Sequence, residues 1–150
     1  MTGRSDDFRD CARLLAKLES VAVLSEDDRA AIAGLPLRVQ AFTEKTDIVR
    51  QGDVPRDCAL VLDGFVARYK LLGMGQRQIV SIHIPGDMPD LQSLNLGVMD
   101  HSVGALTPAR IGFIPHGAVL DLIRQRPRVG DALWRDTLID AAIFREWLAG

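Results

Sequence analysis

Apolar positions recur with one period at the two ends of the chain and with another in the middle. In residues 5–20, Phe8, Cys11, Leu14, Leu15 and Leu18 stand at helical spacing with charges between them. Ser25-Glu26-Asp27-Asp28 predicts the start of a second, short helix. The serine hydroxyl can accept from an open backbone N–H, and three acids face the positive end of the helix dipole. Gly34 and Pro36 stop that helix. From Leu37 the period becomes two, and short apolar runs follow at 47–50, 58–62, 65–72, 77–84, 101–106 and 109–114. Glycine and proline punctuate them, and Gly73-Met74-Gly75-Gln76 reads as a hairpin turn. Seven or eight short strands so punctuated predict a sandwich or barrel.

The middle of the chain turns on residues 79–102. Val80, Ile82 and Ile84 share one strand face, and Ile79, Ser81 and His83 the other, so His83 and Ser81 are expected to face solvent. Pro85-Gly86-Asp87 breaks the strand. Asp90 then precedes apolar residues at 91, 94 and 96, as a cap precedes a short helical turn. A strand resumes near Asp100. Strand, tight turn, helical turn and strand form the place where a small β-domain can hold a ligand.

After Pro115 the helical period returns, with Ala118, Val119, Leu122 and Ile123 in a segment stopped before Pro127. Residues 128–150 read as one helix of about 34 Å. One apolar stripe, Gly130, Trp134, Thr137, Ala141, Phe144 and Leu148, has heptad spacing. A second holds Val129, Ala132, Ile139, Ala142, Ile143 and Trp147. Two stripes suit two partners, the β-domain and another copy of the helix. The expected dimer seam is Trp134, Thr137, Ala141, Phe144 and Leu148, and a wide core that absorbs both stripes is the alternative. The expected division is N-terminal helices at 1–35, a β-roll at 36–115, and a short helix plus dimerisation helix at 116–150.

Composition narrows the class. The 150 residues are 47% hydrophobic and 25% charged, as in a soluble globular domain. No apolar run approaches the ~18 residues of a membrane helix, and the N-terminus is too polar for a signal peptide. Two separated cysteines, Cys11 and Cys58, suggest no disulfide framework, so a cytoplasmic setting is expected. A net charge of −2 gives no basic footprint for DNA.

Catalytic chemistry finds no footing, since G-x-S-x-G, P-loop and H-E-x-x-H patterns are all missing, and the expectation is a binding protein. His83, His101, Asp87, Asp90 and Asp100 have no spacing of a known metal or haem site, so neither metal nor cofactor is expected. Cys58 lies in the apolar run Cys58-Ala59-Leu60-Val61-Leu62 and reads as a small hydrophobe, which leaves Cys11 as the more accessible thiol for redox sensing. His101 shares a strand face with Val103 and Ala105 and reads first as a packed structural histidine.

The order of these parts resembles the sensor domain of Crp/Fnr-type bacterial transcription regulators. The residues that carry the likeness are Gln51-Gly52, Asp63-Gly64, Gly75, Pro85-Gly86-Asp87, and the closing helix after Arg126-Pro127. The resemblance implies a mainly β fold with flanking helices. It would be a double-stranded, jelly-roll-like β-roll, the cyclic-nucleotide-binding fold, followed by a long dimerisation helix. Nucleotide-binding members carry a phosphate cassette, and the thirteen residues from Met88 to Asp100 match its spacing. On that correspondence the phosphate-clamping arginine falls on His101, and the neighbouring serine is kept as Ser102. The ribose-binding glutamate falls on Leu91, a cassette glycine on Asp90, and an adenine-facing hydroxyl on Phe144. A neutral imidazole cannot replace the charged fork of arginine. The expected effector pocket is therefore altered, with Asp90, Leu91, Gln92, Ser93, His101 and Ser102 as its residues and an unidentified small molecule as its ligand.

The resemblance also implies that DNA is read by a helix-turn-helix domain after the closing helix. This chain ends at Gly150 without one, so it is expected not to bind DNA alone and to be a piece of a longer regulator. The leading expectation is thus the sensing and dimerisation half of such a regulator. A stand-alone small-molecule-binding module with an altered ligand, and a structural dimerisation unit with an empty roll, stay open.

Overall fold

A computed structural model describes residues 4–137, with side chains from residue 11 onward. Helix α1 spans Arg4–Glu19 and α2 spans Glu26–Ala33. The start of α2 is a closed capping box. Asp28 N–H donates to Ser25 Oγ at 3.1 Å, and Ser25 N–H donates to Asp28 Oδ2 at 3.0 Å. Seven strands follow: β1 Arg38–Phe42, β2 Asp47–Val49, β3 Asp57–Asp63, β4 Val66–Leu71, β5 Arg77–His83, β6 Ser102–Ala105 and β7 Ala109–Pro115. A one-turn helix α3, Ser93–Leu96, interrupts them between β5 and β6. Helix α4 is His116–Gln125, and α5 begins at 127 and runs to 137, the last described residue. Ala141, Phe144 and Leu148 of the expected seam lie outside the described residues.

The strands form two antiparallel sheets, β1-β7-β3 and β2-β6-β4-β5. Strand β3 shows how both of its faces become core. Ala59 and Val61 point into the roll with Val49, Val66, Val103 and Ile111. Cys58, Leu60 and Leu62 point out of it, onto Leu14, Leu18, Ile32, Val129 and Leu133 of the helices. Strand β3 is therefore apolar at every interior position, whereas a strand with one wet face alternates. Helix α5 buries Val129, Ala132 and Leu133 here, and Trp134 packs partly buried at the edge of the same cluster.

Two close approaches fix the roll's corners. At Gly64, φ is 85° and an added Cβ would stand 2.3 Å from the Pro108 carbonyl oxygen, so only glycine lets the β3–β4 turn pass the β6–β7 loop. At Gly86, φ is 99° and an added Cβ would meet the Arg13 carbonyl oxygen at 2.9 Å. The Pro85-Gly86-Asp87 turn is thereby seated against α1. It is also pinned to β3, where Gly86 N–H donates to Val61 O at 2.8 Å and Val61 N–H to Asp87 O at 2.9 Å.

Two expectations are corrected. Cys11 is 1% exposed, packed among Leu14, Leu18 and Cys58 in the cluster under α1, so it is not an accessible thiol. Burial also raises the Cys58 thiol well above the usual cysteine range, which leaves it protonated and unreactive. Asp90 does not cap α3. The residue before that helix is Gln92, without a side-chain cap bond, and Asp90 turns inward under β3.

Candidate functional site

The β4–β5 register decides which side chains enter the roll. Val66 faces His83 and Arg68 faces Ser81, while Ala67 faces Ile82 on the opposite side. Val66 is fully buried, so its face is the inner one, and Arg68, Ser81 and His83 go inward with it. The sequence expectation had this strand reversed. His83 is 4% exposed and Ile82 is 53% exposed. A period of two separates two faces but does not say which is wet. Here the polar face is the buried one because Ser81 and both ring nitrogens of His83 find partners, which offsets the cost of burial.

These side chains line a cavity of about 360 Å³ between the inner face of β4–β5, the cassette segment 86–101, and helices α1 and α5. Leu14, Val80, Met88, Leu91 and Leu133 form its apolar walls. Arg68, Ser81, His83, Gln92, Asp100 and His101 form its polar ones, and Asp136 and Thr137 of α5 close it. Val80 reaches the wall because the register slips by one residue after Arg68.

Three of the expected pocket residues, Leu91, Gln92 and His101, do meet at this cavity. The other three do other work. Ser102 Oγ accepts from Gln51 N–H at 2.8 Å and ties the β2–β3 loop to β6. Ser93 Oγ bonds His116 Nε2 at 3.0 Å, which joins α3 to the start of α4. Asp90 is 0% exposed, and its Oδ1 accepts from Ala59 N–H at 2.8 Å. Thr137, expected in the dimer seam, lines the cavity and donates Oγ1–H to Leu133 O at 3.0 Å. Arg68, Ser81, His83, Asp100 and Asp136 were missed by sequence reasoning. The signal for Arg68 was a cation two residues from Val66 on the same strand face, a charge where the core begins.

Both cavity histidines are held neutral, each with both ring nitrogens engaged. His101 Nδ1–H donates to Asp100, so its Nε2 accepts from the Gln92 amide at 3.0 Å. His83 Nδ1–H donates to Asp87 Oδ2 at 3.1 Å, and its Nε2 accepts from Ser81 Oγ–H at 2.8 Å. Burial, with the Arg68 and Lys17 charges added, pushes His83 down to about 3. Burial and Arg68 also lower His101, against the opposing pull of Asp100. The Asp87 carboxylate does not reverse this at His83, because Lys17 Nζ neutralises it by a direct ion pair to Oδ1. Lys17 also reaches Asp136 Oδ2 on α5 at 3.4 Å. Contacts thus run from Ser81 in the cavity through His83, Asp87 and Lys17 to the closing helix. Among the described residues no cluster of three histidine, cysteine or acidic side chains could hold a metal ion, and no helix is long and apolar enough to cross a membrane.

What the arrangement can do chemically is bind: it offers an apolar chamber with one arginine and several hydrogen-bonding groups. The comparisons agree on the setting. A family model described as a cyclic nucleotide-binding domain matches residues 39–126, which is more than half of the chain. The nitrogen fixation regulation protein FixK of Rhizobium meliloti (strain 1021) is 42% identical over 53 residues, covering 35% of this chain and 25% of FixK. A cyclic nucleotide-binding domain from Methylobacillus flagellatus superposes with a TM-score of 0.74 at 18% identity, over 93% of this chain and 80% of that one. The catabolite activator protein of Thermus thermophilus superposes with a TM-score of 0.64 at 21% identity, over 84% of this chain and 61% of that one. The chain spans less than two thirds of the lengths of FixK and of the catabolite activator.

Proposed function

The chain belongs to the cyclic nucleotide-binding domain family and is of the Crp/Fnr sensor type, and from that premise we propose that it is the effector-sensing and dimerisation unit of a transcription regulator whose ligand is not cyclic AMP. The observation that carries the reading is the state of His101. At the position of the phosphate clamp stands a neutral imidazole whose Nδ1–H is spent on Asp100 and whose Nε2 is spent on Gln92. It has no donor left for a phosphate. The ribose position holds Leu91, buried at 1% exposure with no polar atom to offer. The cavity itself favours sensing over an empty structural roll, since a chamber of about 360 Å³ is of ligand size. This reading assigns binding, not catalysis, to the chain, and assigns no DNA contact to it.

Loss of one partner of a buried charged hydrogen bond costs about 2–5 kcal/mol, and the arginine and the glutamate are both replaced. Two such losses carry a micromolar ligand past the millimolar range. Calorimetry with cyclic AMP is therefore expected to give no binding at micromolar concentrations. A low-micromolar dissociation constant overturns the reading. His101→Arg combined with Leu91→Glu is expected to recover part of the affinity.

Dimerisation is assigned to α5 and the residues after it, along Trp134, Ala141, Phe144 and Leu148 of the expected seam, whose fifth member Thr137 lines the cavity instead. The partly buried position of Trp134, at the rim of the core rather than inside it, is consistent with a second surface reaching that helix. Phe144→Asp would set like charges face to face in a desolvated interface, and sedimentation is expected to show monomers. Ile143→Asp tests the competing stripe. A Phe144→Asp protein that remains dimeric rules out this seam.

A further inference from the structure

We propose that the cavity takes a small uncharged molecule with an apolar body and one hydrogen-bond donor, an alcohol of roughly a dozen non-hydrogen atoms; the proposal names the ligand class of the effector reading above and rests on it. The size follows from the volume: about 360 Å³ holds on the order of twelve water-sized groups at ~30 Å³ each. The apolar body follows from the walls. Leu14, Val80, Met88, Leu91 and Leu133 line the chamber, and their side chains bring no nitrogen or oxygen to a sugar or a base.

Neutrality follows from the charges, which the fold already uses. Arg68 has its partners within the structure. Asp136 is held by the Lys17 ammonium at 3.4 Å, and Asp100 accepts from His101 Nδ1–H. His83 and His101 have both ring nitrogens engaged. An anion would have to draw Arg68 from its present partners while facing the Asp100 and Asp136 carboxylates on the same walls. A cation would face Arg68, and the carboxylate it could reach without displacing Lys17 is Asp100, whose side chain is 58% exposed. A pair with so wet a carboxylate gains little. Either charge would leave water for a chamber with no countercharge to spare, whereas an uncharged ligand meets no such cost.

The donor follows from the lone pairs left over. Ser81 Oγ gives its proton to His83 Nε2, and Thr137 Oγ1 gives its proton to the Leu133 carbonyl oxygen. Both oxygens keep lone pairs. Gln92 spends an amide N–H on His101, which leaves its Oε1 open as a third acceptor. Among the described neutral side chains of the lining, the open donor set against these three is the second amide N–H of Gln92. A hydroxyl brings a proton to such a wall, and a carbonyl oxygen does not.

Four probes carry the same number of carbons: octan-1-ol, octan-2-one, octanoate and octylammonium. Calorimetry on the whole chain at pH 7.5 is expected to rank octan-1-ol first. Octanoate and octylammonium are expected to bind at least about 10-fold more weakly, and octan-2-one, which accepts but cannot donate, about 3–10-fold more weakly. Either ion binding as tightly as octan-1-ol overturns the neutral assignment, and octan-2-one binding as tightly overturns the donor. The absence of binding by all four at about 1 mM overturns the class. Nuclear Overhauser contacts from the octan-1-ol methylenes to the Met88 methyl are expected, and binding without them overturns the location. Val80→Trp, which fills the chamber from the bulged wall, is expected to abolish octan-1-ol binding with the circular dichroism unchanged. Binding that survives in this folded variant also overturns the location. Xenon-induced shifts of the Met88 methyl test the chamber apart from the ligand class: they are expected whichever probe binds, and their absence overturns the effector reading itself.

Discussion

Asp90→Asn is expected to stabilise the fold progressively as pH rises, by about 4 kcal/mol more at pH 7 and above than below pH 4. The carboxyl of Asp90 is fully enclosed. Its Oδ1 accepts from Ala59 N–H, and its Oδ2 has no hydrogen-bond partner among the described residues. Burial pushes the group up to about 7, against the pull of the Ala59 N–H. The folded state therefore prefers the neutral acid. Below the unfolded pKa near 3.8 the group is neutral in both states and costs nothing. As pH rises, the unfolded chain ionises while the folded one does not, and stability drains away until the folded group also ionises near 7. That window is about three pH units at about 1.4 kcal/mol each. Asparagine does not titrate. Its amide nitrogen would occupy the partnerless side at a constant cost of about 1–3 kcal/mol, which offsets the gain equally at every pH. Urea unfolding of both proteins at pH 5 and pH 7.5 isolates the effect, since contributions of His83 and His101 are common to the two and cancel. About 2.5 kcal/mol of the change falls between those values. A difference that does not vary with pH would mean that Asp90 is ionised in the fold.

Asp90 also marks where the sequence stopped being informative. The strands were legible because their periods and glycine punctuation are local signals, and β1 to β7 match the runs that predicted them, with β3 overrunning by one residue at each end and β7 by one at its C-terminal end. The capping box at Ser25 and Asp28 was legible for the same reason. An aspartate before an apolar helical turn looks like a cap, however, whether it lies outside or beneath a strand. Only the packing of β3 over the cassette shows that it is buried. The inverted face of β5 has a similar origin. Ser81 and His83 look wet beside Ile82 and Ile84, and the pattern reverses only because Asp87, Lys17 and Arg68 surround them from elements far apart in the chain. Local rules failed where long-range polar partners assemble a cavity, and such places are where function resides. His101, Leu91 and Gln92 were found at the cavity through spacing in the cassette. Arg68 had only the weaker signal of a cation two residues from Val66 on one strand face, and Thr137 had none, because its place at the cavity depends on how α5 lies across the roll.

Lys17→Met is expected to cost about 3–5 kcal/mol, the range for a buried ion pair that loses one member. Lys17 serves two carboxylates at once, Asp87 in the Pro85-Gly86-Asp87 turn and Asp136 on α5, and its side chain is 19% exposed against 6% for that of Asp87. Without it the Asp87 charge would keep only the Ile84 N–H at 3.1 Å and the His83 ring. The imidazole then has reason to take a proton. Its pKa in the wild type is held down by burial and by the Arg68 and Lys17 charges, so stability falls as pH drops below the unfolded value near 6.5. Removing Lys17 lifts one of those causes and exposes His83 to an uncompensated carboxylate, which raises the folded pKa. If that pKa passes the unfolded one, the sign reverses: the contribution is present at low pH and lost as pH rises. The defect of Lys17→Met is therefore expected to be larger at pH 8 than at pH 6, with the His83 ring protons titrating at higher pH than in the wild type. Adding Asp87→Asn removes the stranded charge and is expected to recover most of the loss, a coupling that a double-mutant cycle reads directly. A loss below about 1 kcal/mol with an unmoved His83 titration would show that water, not Lys17, balances Asp87. With the larger loss, Lys17 is the side chain whose charge ties Asp87 of the turn to Asp136 of α5, beside the cavity that Asp136 lines.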